Sequence, residues 1–193
     1  SALISKIDFN NYYEPFLGGG SVFFSLNTNK KAYLSDYNSE LINAYIQVRN
    51  NPEELIKFLK EFPQNKNFYY SIRNKDFESN IEKAAKFIYL NKTSFNGIFR
   101  VNKHGEYNVP YGNRKYNLDI LSNLIYSCSS QLENTELSSI GYEESILRVN
   151  KNDLIYLDPP YTISHNDNGF IKYNEKLFSI KDQVLLSKLI NKI

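Results

Sequence analysis

The sequence is poor in the residues that build disulfides and zinc sites. It contains one cysteine, Cys128, and only two histidines. An internal disulfide framework is therefore excluded, and no set of residues has the spacing of a zinc site. We expect Cys128 to be a small buried side chain and the protein to need no metal.

Long apolar runs are also absent. No stretch approaches the roughly 20 apolar residues of a membrane span, and no signal-peptide pattern opens the chain. The sequence therefore predicts a cytoplasmic protein with no membrane partner. It also contains no methionine and begins at Ser1, which indicates a fragment or a trimmed or processed chain.

The composition that remains is typical of a globular protein. Of the 193 residues, 41% are hydrophobic and 23% are charged, enough for one sizeable domain or a core with an insertion. The formal net charge is only +2. Any affinity for nucleic acid must therefore come from a local patch rather than from the field of the whole protein.

An apolar run that stops at an acid, two prolines and an aromatic ring is the most informative stretch. Residues 153–157 predict a buried strand that delivers Asp158 and Tyr161 to the edge of a sheet. Pro159 and Pro160 lack backbone N–H groups, so this turn offers carbonyl acceptors without competing donors and suits a substrate with an NH2 group. The alternative is that the prolines only end a strand and Asp158 caps a turn.

A second pattern is typical of nucleotide-binding βαβ units. A short strand over 12–17 leads into Gly18, Gly19, Gly20 and Ser21, and a helix start follows. A second strand ends at Asp36, about 20 residues beyond the glycines, where an acid can accept hydrogen bonds from ribose hydroxyls. The alternative role for Asp36 is to cap the next helix.

A region without strands follows. Apolar stripes predict four successive helices: one carrying Leu41, Ile42, Tyr45 and Ile46, one opened by Asn51 and Pro52, one around 68–77 and one over 81–91. Such a run breaks the βαβ alternation and indicates an insertion. We therefore assign 1–50 and 132–193 to a cofactor-binding catalytic domain and 51–131 to a helical insertion.

Residues 92–116 form a basic loop within that insertion. Five cationic side chains against the single Glu106 give a local charge of +4. Glycines, asparagines and aromatics lie between the charges, as in surfaces that bind phosphates, guanine and stacked bases. The alternative is a solvated hairpin with buried tyrosines.

The remaining elements complete an α/β fold. We predict a helix through Leu118, Leu121 and Ile125, a strand over 135–142, a short helix over 143–149, and a last helix capped by Ser179.

Several blocks together resemble DNA adenine methyltransferases of the Dam type, which use S-adenosylmethionine. The blocks are Glu14–Phe23, Leu34–Asn38, Phe95–Asn102, Gly105–Gly112 and Asp158–Tyr161. Other amino-methyltransferases share the last block, whereas the long central block, Phe95–Asn102 with Gly105–Gly112, is specific to this group. The resemblance implies a Rossmann-like methyltransferase sheet, apparently truncated at both ends, with a helical and loop insertion that recognises double-stranded DNA.

The resemblance also implies roles for individual residues. The glycine loop would cradle the methionine part of the cofactor and Asp36 its ribose, giving a cofactor set of Glu14, Phe16, Gly18, Gly20, Ser21, Asp36 and Asp158. Asp158 and the Pro159 carbonyl would accept hydrogen bonds from the adenine amine, and Tyr161 would stack on the extruded base.

DNA contacts are implied for seven residues of the basic loop: Phe95, Asn96, Ile98, Arg100, Asn102, Asn108 and Arg114. Phe95 or Asn96 would fill the vacated stack, and Arg100 would contact guanine through two hydrogen bonds. By analogy the target is a short palindrome such as GATC.

The chain departs from this family at both ends. It lacks the Gly-Gly-Lys segment that precedes the first strand in relatives, and it stops after the fourth predicted strand. We therefore expect weak or lost activity. The alternative functions are methylation of a cytosine or RNA adenine amine, and a non-catalytic module that binds DNA or cofactor.

Overall fold

The computed structural model describes residues 7–26, 28–102, 104–160 and 178–192. These residues form an α/β fold with four strands and eight α-helices. The strands are β1 (Tyr12–Glu14), β2 (Ala32–Ser35), β3 (Thr135–Ser138) and β4 (Leu154–Ile155). The helices are α1 (Ser21–Leu26), α2 (Ser39–Asn50), α3 (Pro52–Glu61), α4 (Lys66–Arg73), α5 (Asn80–Thr93), α6 (Leu118–Leu132), α7 (Tyr142–Ile146) and α8 (Ile180–Ile190).

The four described strands make one parallel sheet in the order β3-β2-β1-β4. In β1, Tyr12 pairs with Ala32 of β2 on one side and with Leu154 of β4 on the other. Because all strands run the same way, the segments that follow β1, β2 and β4 leave from the same edge of the sheet. The predicted α/β class is therefore confirmed.

Three of the predicted strands are shorter in the structure. The strand expected over 12–17 ends at Glu14, because Pro15 has no N–H to donate to the ladder. The strand expected over 135–142 ends at Ser138, and Tyr142 begins α7 instead. The strand expected over 153–157 is limited to Leu154–Ile155 and is half-buried rather than buried, since it pairs with only β1 in the described part of the sheet.

The chain divides into two compact units, whose boundaries fall inside α2 and α6. The described residues of the first unit lie in 7–42, 130–160 and 178–192, and those of the second unit lie in 43–129. The first unit holds the sheet. A cluster of Tyr142, Ile146 and Leu186 packs α7 and α8 together beside it.

Aromatic residues form the core of the second unit. Tyr69 and Tyr89 are both fully buried, and the rings of Phe62 and Phe68 pack edge-on against Tyr89. The succession of helices α2 to α5 without an intervening strand is confirmed. The helix expected around 68–77 lies at Lys66–Arg73, because the Asn65 side chain caps it by accepting from Phe68 N.

The other predicted helices are present, and one of their two expected side-chain caps is formed. Ser179 caps α8 as predicted, and its hydroxyl and the Asp182 carboxylate form a reciprocal capping box. Asn51 does precede α3, but its side chain makes no cap bond there and donates to Gln47 Oε1 at 2.8 Å instead. The helix through Leu121 and Ile125 is confirmed, with both side chains buried.

Candidate functional site

The glycine loop after β1 has a conformation that requires glycine. Gly18 and Gly20 have φ of +48° and +64°, a region that other residues adopt only at a cost. Gly20 N donates to Leu17 O at 2.8 Å, and Leu17 N donates to Ser35 O at 3.0 Å. The loop is therefore anchored to the end of β2 by its own backbone.

Asp36 joins this loop to the following helix. Its Oδ2 accepts from Gly18 N at 2.9 Å and its Oδ1 accepts from Asn38 N at 2.9 Å. The residue that caps α2 is Asn38, whose Oδ1 accepts from Glu40 N and Leu41 N. The helix-cap alternative for Asp36 is therefore wrong. Since a carboxylate has about four acceptor positions, Asp36 retains capacity for a ligand hydroxyl.

Glu14 is a buried carboxyl group at the end of β1. It is 3% exposed, and its Oε2 accepts from Tyr12 Oη at 2.7 Å. Burial raises the pKa of Glu14 to about 7; the negative charge of Asp158 adds to the rise, and the hydrogen bonds from Tyr12 and the Phe23 backbone oppose it. Tyr12 was not among the predicted site residues, although residues two apart on one strand face the same side.

Asp158 and Pro159 follow β4 at the same edge of the sheet. Tyr156 N donates to Tyr13 O at 2.8 Å, so β4 stays beside β1 almost up to the acid. Asp158 is exposed and Pro159 is half-buried. The structure thus brings Asp158 into electrostatic range of Glu14. Tyr161, the third predicted catalytic residue, lies outside the described residues.

Phe16 sits on the turn between β1 and the glycines. Its ring stacks on Tyr142 at 5.3 Å between centroids and meets Phe178 edge-on at 5.7 Å. It is half-buried, so one aromatic surface at this edge is already packed against α7. Tyr142 was not among the predicted site residues, because the sequence pattern predicted a strand there rather than the start of α7.

The basic loop of the second unit folds as a hairpin, which we call the recognition hairpin (residues 94–112). Antiparallel bridges join Ser94 to Tyr111 and Val101 to Tyr107. At its base, a Cβ on Gly112 would lie 2.3 Å from Ser94 O. Only glycine allows the two segments to approach so closely.

The turn that follows Ser94, near the base of this hairpin, presents apolar side chains. Phe95 is 53% exposed and Ile98 is 39% exposed. Between them, Asn96 and Gly97 both have positive φ, which forms a tight turn. Arg114 approaches the same turn, because a Cβ on Gly97 would lie 3.1 Å from Arg114 Nη1.

Arg100 is held by the opposite side of the hairpin. Its Nε donates to Asn108 Oδ1 at 2.7 Å and its Nη2 donates to Asn108 O at 3.3 Å. Asn102 is also engaged, since its Oδ1 accepts from the backbone of His104 and Glu106. Asn108 and Asn102 thus shape the hairpin, a role that their predicted contacts with DNA did not include.

The described residues lack two kinds of feature. Among them, no group of three or more His, Cys, Asp or Glu side chains is arranged to hold a metal ion. None of the helices that they form combines the length and apolarity needed to cross a membrane.

Comparison with known proteins identifies the family. Residues 1–193 match the D12 class N6 adenine-specific DNA methyltransferases. The chain belongs to this family. Members of the class use S-adenosylmethionine, so the expected family and its cofactor are confirmed.

Individual relatives agree with this assignment. The chain is 37% identical over 188 residues to the type II methyltransferase M1.LlaDCHI of Lactococcus lactis subsp. cremoris, covering 92% of this chain and 66% of that protein. It is 36% identical over 200 residues to the type II methyltransferase M.MjaIII of Methanocaldococcus jannaschii, with coverages of 94% and 69%. It is 33% identical over 189 residues to a DNA adenine methylase of Serratia marcescens, with coverages of 93% and 68%. The chain spans about two thirds of the length of these curated relatives.

Proposed function

We propose that this chain transfers a methyl group from S-adenosylmethionine to the exocyclic amine of adenine in a short duplex DNA target. The observation that carries the proposal is the meeting of two motifs at one sheet edge. The glycine loop follows β1, Asp158 follows β4, and these strands are neighbours with β2 on the far side of β1. Ligands bind at the carboxyl ends of parallel strands where the strand order reverses in this way.

The glycine loop fits the cofactor. A Cβ on Gly18 would meet nothing within 4 Å, so the loop presents open backbone rather than packed side chains. Asp36 lies against Gly18 and would accept from the ribose hydroxyls. Glu14, Phe16, Gly20 and Ser21 would complete the surroundings. When bound, S-adenosylmethionine supplies an electrophilic methyl group on a sulfonium.

Asp158 and the Pro159 carbonyl would prepare the amine. The adenine amine is a poor nucleophile because its lone pair is delocalised into the ring. Two acceptors favour a pyramidal nitrogen whose lone pair points toward the methyl carbon, and such alignment lowers a barrier by roughly 7–11 kcal/mol. The carboxylate would then take up the proton that the amine loses, either directly or through water.

The amine is inaccessible inside a duplex, so the adenine must leave the stack at a cost of a few kcal/mol. By the family resemblance Tyr161 would stack on the extruded base. In the second unit, the exposed Phe95 ring and the adjacent Asn96 suit the vacated position. Arg100 would contact guanine, with Ile98, Asn102, Asn108 and Arg114 alongside, and the target would be a palindrome such as GATC.

The two units would divide this work. We propose that the sheet unit is a Rossmann-like methyltransferase domain and that the helical unit with its hairpin recognises DNA. The strand order β3-β2-β1-β4 is the order in which the first four strands of a doubly wound sheet occur. That agreement supports the domain assignment.

The test is radiolabelled methyl transfer to DNA from a host without adenine methylation, followed by digestion and sequencing of the modified sites. We expect label in N6-methyladenine within one short sequence, and Asp158→Ala should lower the rate at least about a hundredfold. DNA affinity should change little, whereas cofactor affinity should fall modestly because Asp158 also belongs to the expected cofactor set. Asp158→Asn, which keeps one acceptor oxygen, is the control and should retain more activity than the alanine variant.

Other outcomes identify the alternatives. Label in cytosine, or in RNA instead of DNA, would contradict the adenine assignment. Tight DNA or cofactor binding without transfer, unchanged by Asp158→Ala, would indicate a non-catalytic module.

A further inference from the structure

We propose that Tyr69 is a positioning residue for DNA recognition. Its buried hydroxyl fixes the backbone at Val109 and Pro110, and through that backbone it orients both Arg100 and Phe95. The inference rests on the proposed role of the recognition hairpin in binding DNA. Tyr69 lies in α4, outside the sequence blocks that carry the family resemblance.

The Tyr69 hydroxyl forms a hydrogen bond with the backbone of the hairpin. It donates to Val109 O at 2.9 Å and lies 3.4 Å from Pro110 O. The residue is fully buried, and burial raises the pKa of Tyr69 above its ordinary value, so the hydroxyl keeps its proton and remains a donor. Arg73, one turn further along α4, donates from Nη1 to the same Val109 O at 3.3 Å.

The first connection runs from Val109 to Arg100. Asn108 precedes Val109, and its N donates to Arg100 O at 3.1 Å. Its side chain accepts from Arg100 Nε at 2.7 Å. A displacement of Val109 therefore moves the residue that sets the plane of the Arg100 guanidinium. A planar donor needs a defined orientation to form two hydrogen bonds with guanine.

The second connection runs from Pro110 to Phe95. Pro110 O accepts from Phe95 N at 3.0 Å, and Gly112 N donates to Thr93 O at 2.9 Å. The segment that Tyr69 holds is thus the partner strand of the segment that carries Phe95. One buried hydroxyl supports both the guanine-reading arginine and the exposed ring.

Such support matters because ordering a loop during association weakens binding. A hairpin already held in shape loses less conformational freedom when DNA binds, and this advantage is greatest in the specific complex, whose strict geometry requires the most ordering. Loss of the hydroxyl should therefore reduce discrimination between target and non-target DNA more than it reduces non-specific affinity, which depends on phosphate contacts.

The experiment compares Tyr69→Phe with a matched control, Tyr89→Phe, in the full chain. Tyr89 is equally buried and its ring lies 6.5 Å from that of Tyr69. Its hydroxyl donates instead to Pro63 O at 2.8 Å, outside the hairpin. Both variants lose one buried hydroxyl from one aromatic core, so their melting temperatures should fall similarly.

Three readouts then separate the variants. Binding is measured by fluorescence anisotropy with a duplex containing the site that the wild-type chain methylates and with the same duplex altered at one base pair. We expect Tyr69→Phe to lower target affinity about three- to tenfold, with S-adenosylmethionine affinity unchanged. In Tyr89→Phe, target affinity and S-adenosylmethionine affinity should both stay within about twofold of the wild-type values. Hydrogen exchange at the Phe95 and Asn108 amides should accelerate only in Tyr69→Phe.

Equal effects of the two variants on target affinity would overturn the inference, as would unchanged exchange at these amides in Tyr69→Phe. Faster exchange in Tyr69→Phe without any loss of discrimination would also overturn it. A wild-type chain that binds no duplex would instead count against the proposed function, while the exchange comparison would still decide whether Tyr69 holds the hairpin.

Discussion

The sheet edge of the first unit and the recognition hairpin of the second are built in different ways. At the sheet edge, residues close to the strand ends position the site: Leu17 N donates to Ser35 O, and Gly18 N donates to the Asp36 carboxylate. In the hairpin, side chains from a separate helix position the backbone, as Tyr69 and Arg73 do at Val109. Strand pairing and one local side-chain acceptor thus determine the first site, whereas the hairpin adds side-chain hydrogen bonds from a separate helix to its own backbone bonds.

This difference predicts where each region is sensitive. The stability and ligand binding of the sheet edge should respond to changes of backbone conformation and of buried charge more than to the loss of single hydroxyls. The hairpin should respond both to backbone crowding and to the loss of individual side-chain donors. Substitutions in one region should leave the ligand of the other region unaffected.

The largest expected effect comes from the buried Glu14 carboxyl. Its pKa is about 7 in the folded protein against 4.5 ordinarily. Between those two values the folded chain binds more protons than the unfolded chain, so this group lowers the free energy of unfolding as pH rises and the cost is complete above about pH 7. We expect Glu14→Gln to remove a penalty on the order of 3 kcal/mol at pH 8 and little at pH 4.5.

Urea unfolding of both proteins across this pH range measures the difference. The surrounding groups are Tyr12, the Phe23 backbone and Asp158, so Asp158→Asn should shift the same curve slightly toward lower pH. Parallel stability curves for wild type and Glu14→Gln would show that Glu14 titrates normally.

The second-largest effect should come from a steric clash at the base of the recognition hairpin. In Gly112→Ala, the new Cβ would lie 2.3 Å from Ser94 O and 2.6 Å from Phe95 N, so the two segments must separate. Overpacking of this kind costs about 1–3 kcal/mol, and we expect target affinity to fall about tenfold or more by anisotropy. Cofactor binding, measured by calorimetry, should persist. If Gly112→Ala lost both target DNA binding and cofactor binding, the two regions would not be independent.

In the glycine loop, a substitution should weaken cofactor binding through backbone conformation alone, without a steric clash. Gly18→Ala meets no atom within 4 Å but keeps a φ of +48°, which costs about 1–2 kcal/mol for a residue with a Cβ. We expect S-adenosylmethionine affinity to fall about tenfold. Gly19→Ala is the control, since Gly19 lacks a positive φ and its Cβ would meet only Ser21 Oγ at 3.8 Å. Similar losses in both variants would mean that side-chain volume, not φ, is limiting.

The same contrast between local and long-range interactions explains which features could be predicted from the sequence. Strand periodicity and the glycines predicted the order of elements from Tyr12 to Asp36, because those signals are local. The strand expected over 135–142 failed beyond Ser138, because Gly141 and the acids at 143 and 144 open a helix. The Tyr69 bond to Val109 spans 40 residues, and nothing local selects one donor among 16 tyrosines.

The smallest effect should separate positioning from contact within the hairpin. Asn108→Ala removes the acceptor for Arg100 Nε but leaves the Asn108 carbonyl that receives Nη2. One hydrogen bond of this kind is worth about 0.5–1.5 kcal/mol, so we expect target affinity to fall a fewfold and the penalty for a mismatched guanine to shrink. The slope of affinity against salt should stay the same, because Asn108 carries no charge and neutralises no phosphate.

If Asn108 instead contacts the DNA while Arg100 is oriented independently, Asn108→Ala and Arg100→Ala should weaken target binding additively in the double variant. If Asn108 acts through Arg100, the double variant should bind no worse than Arg100→Ala alone.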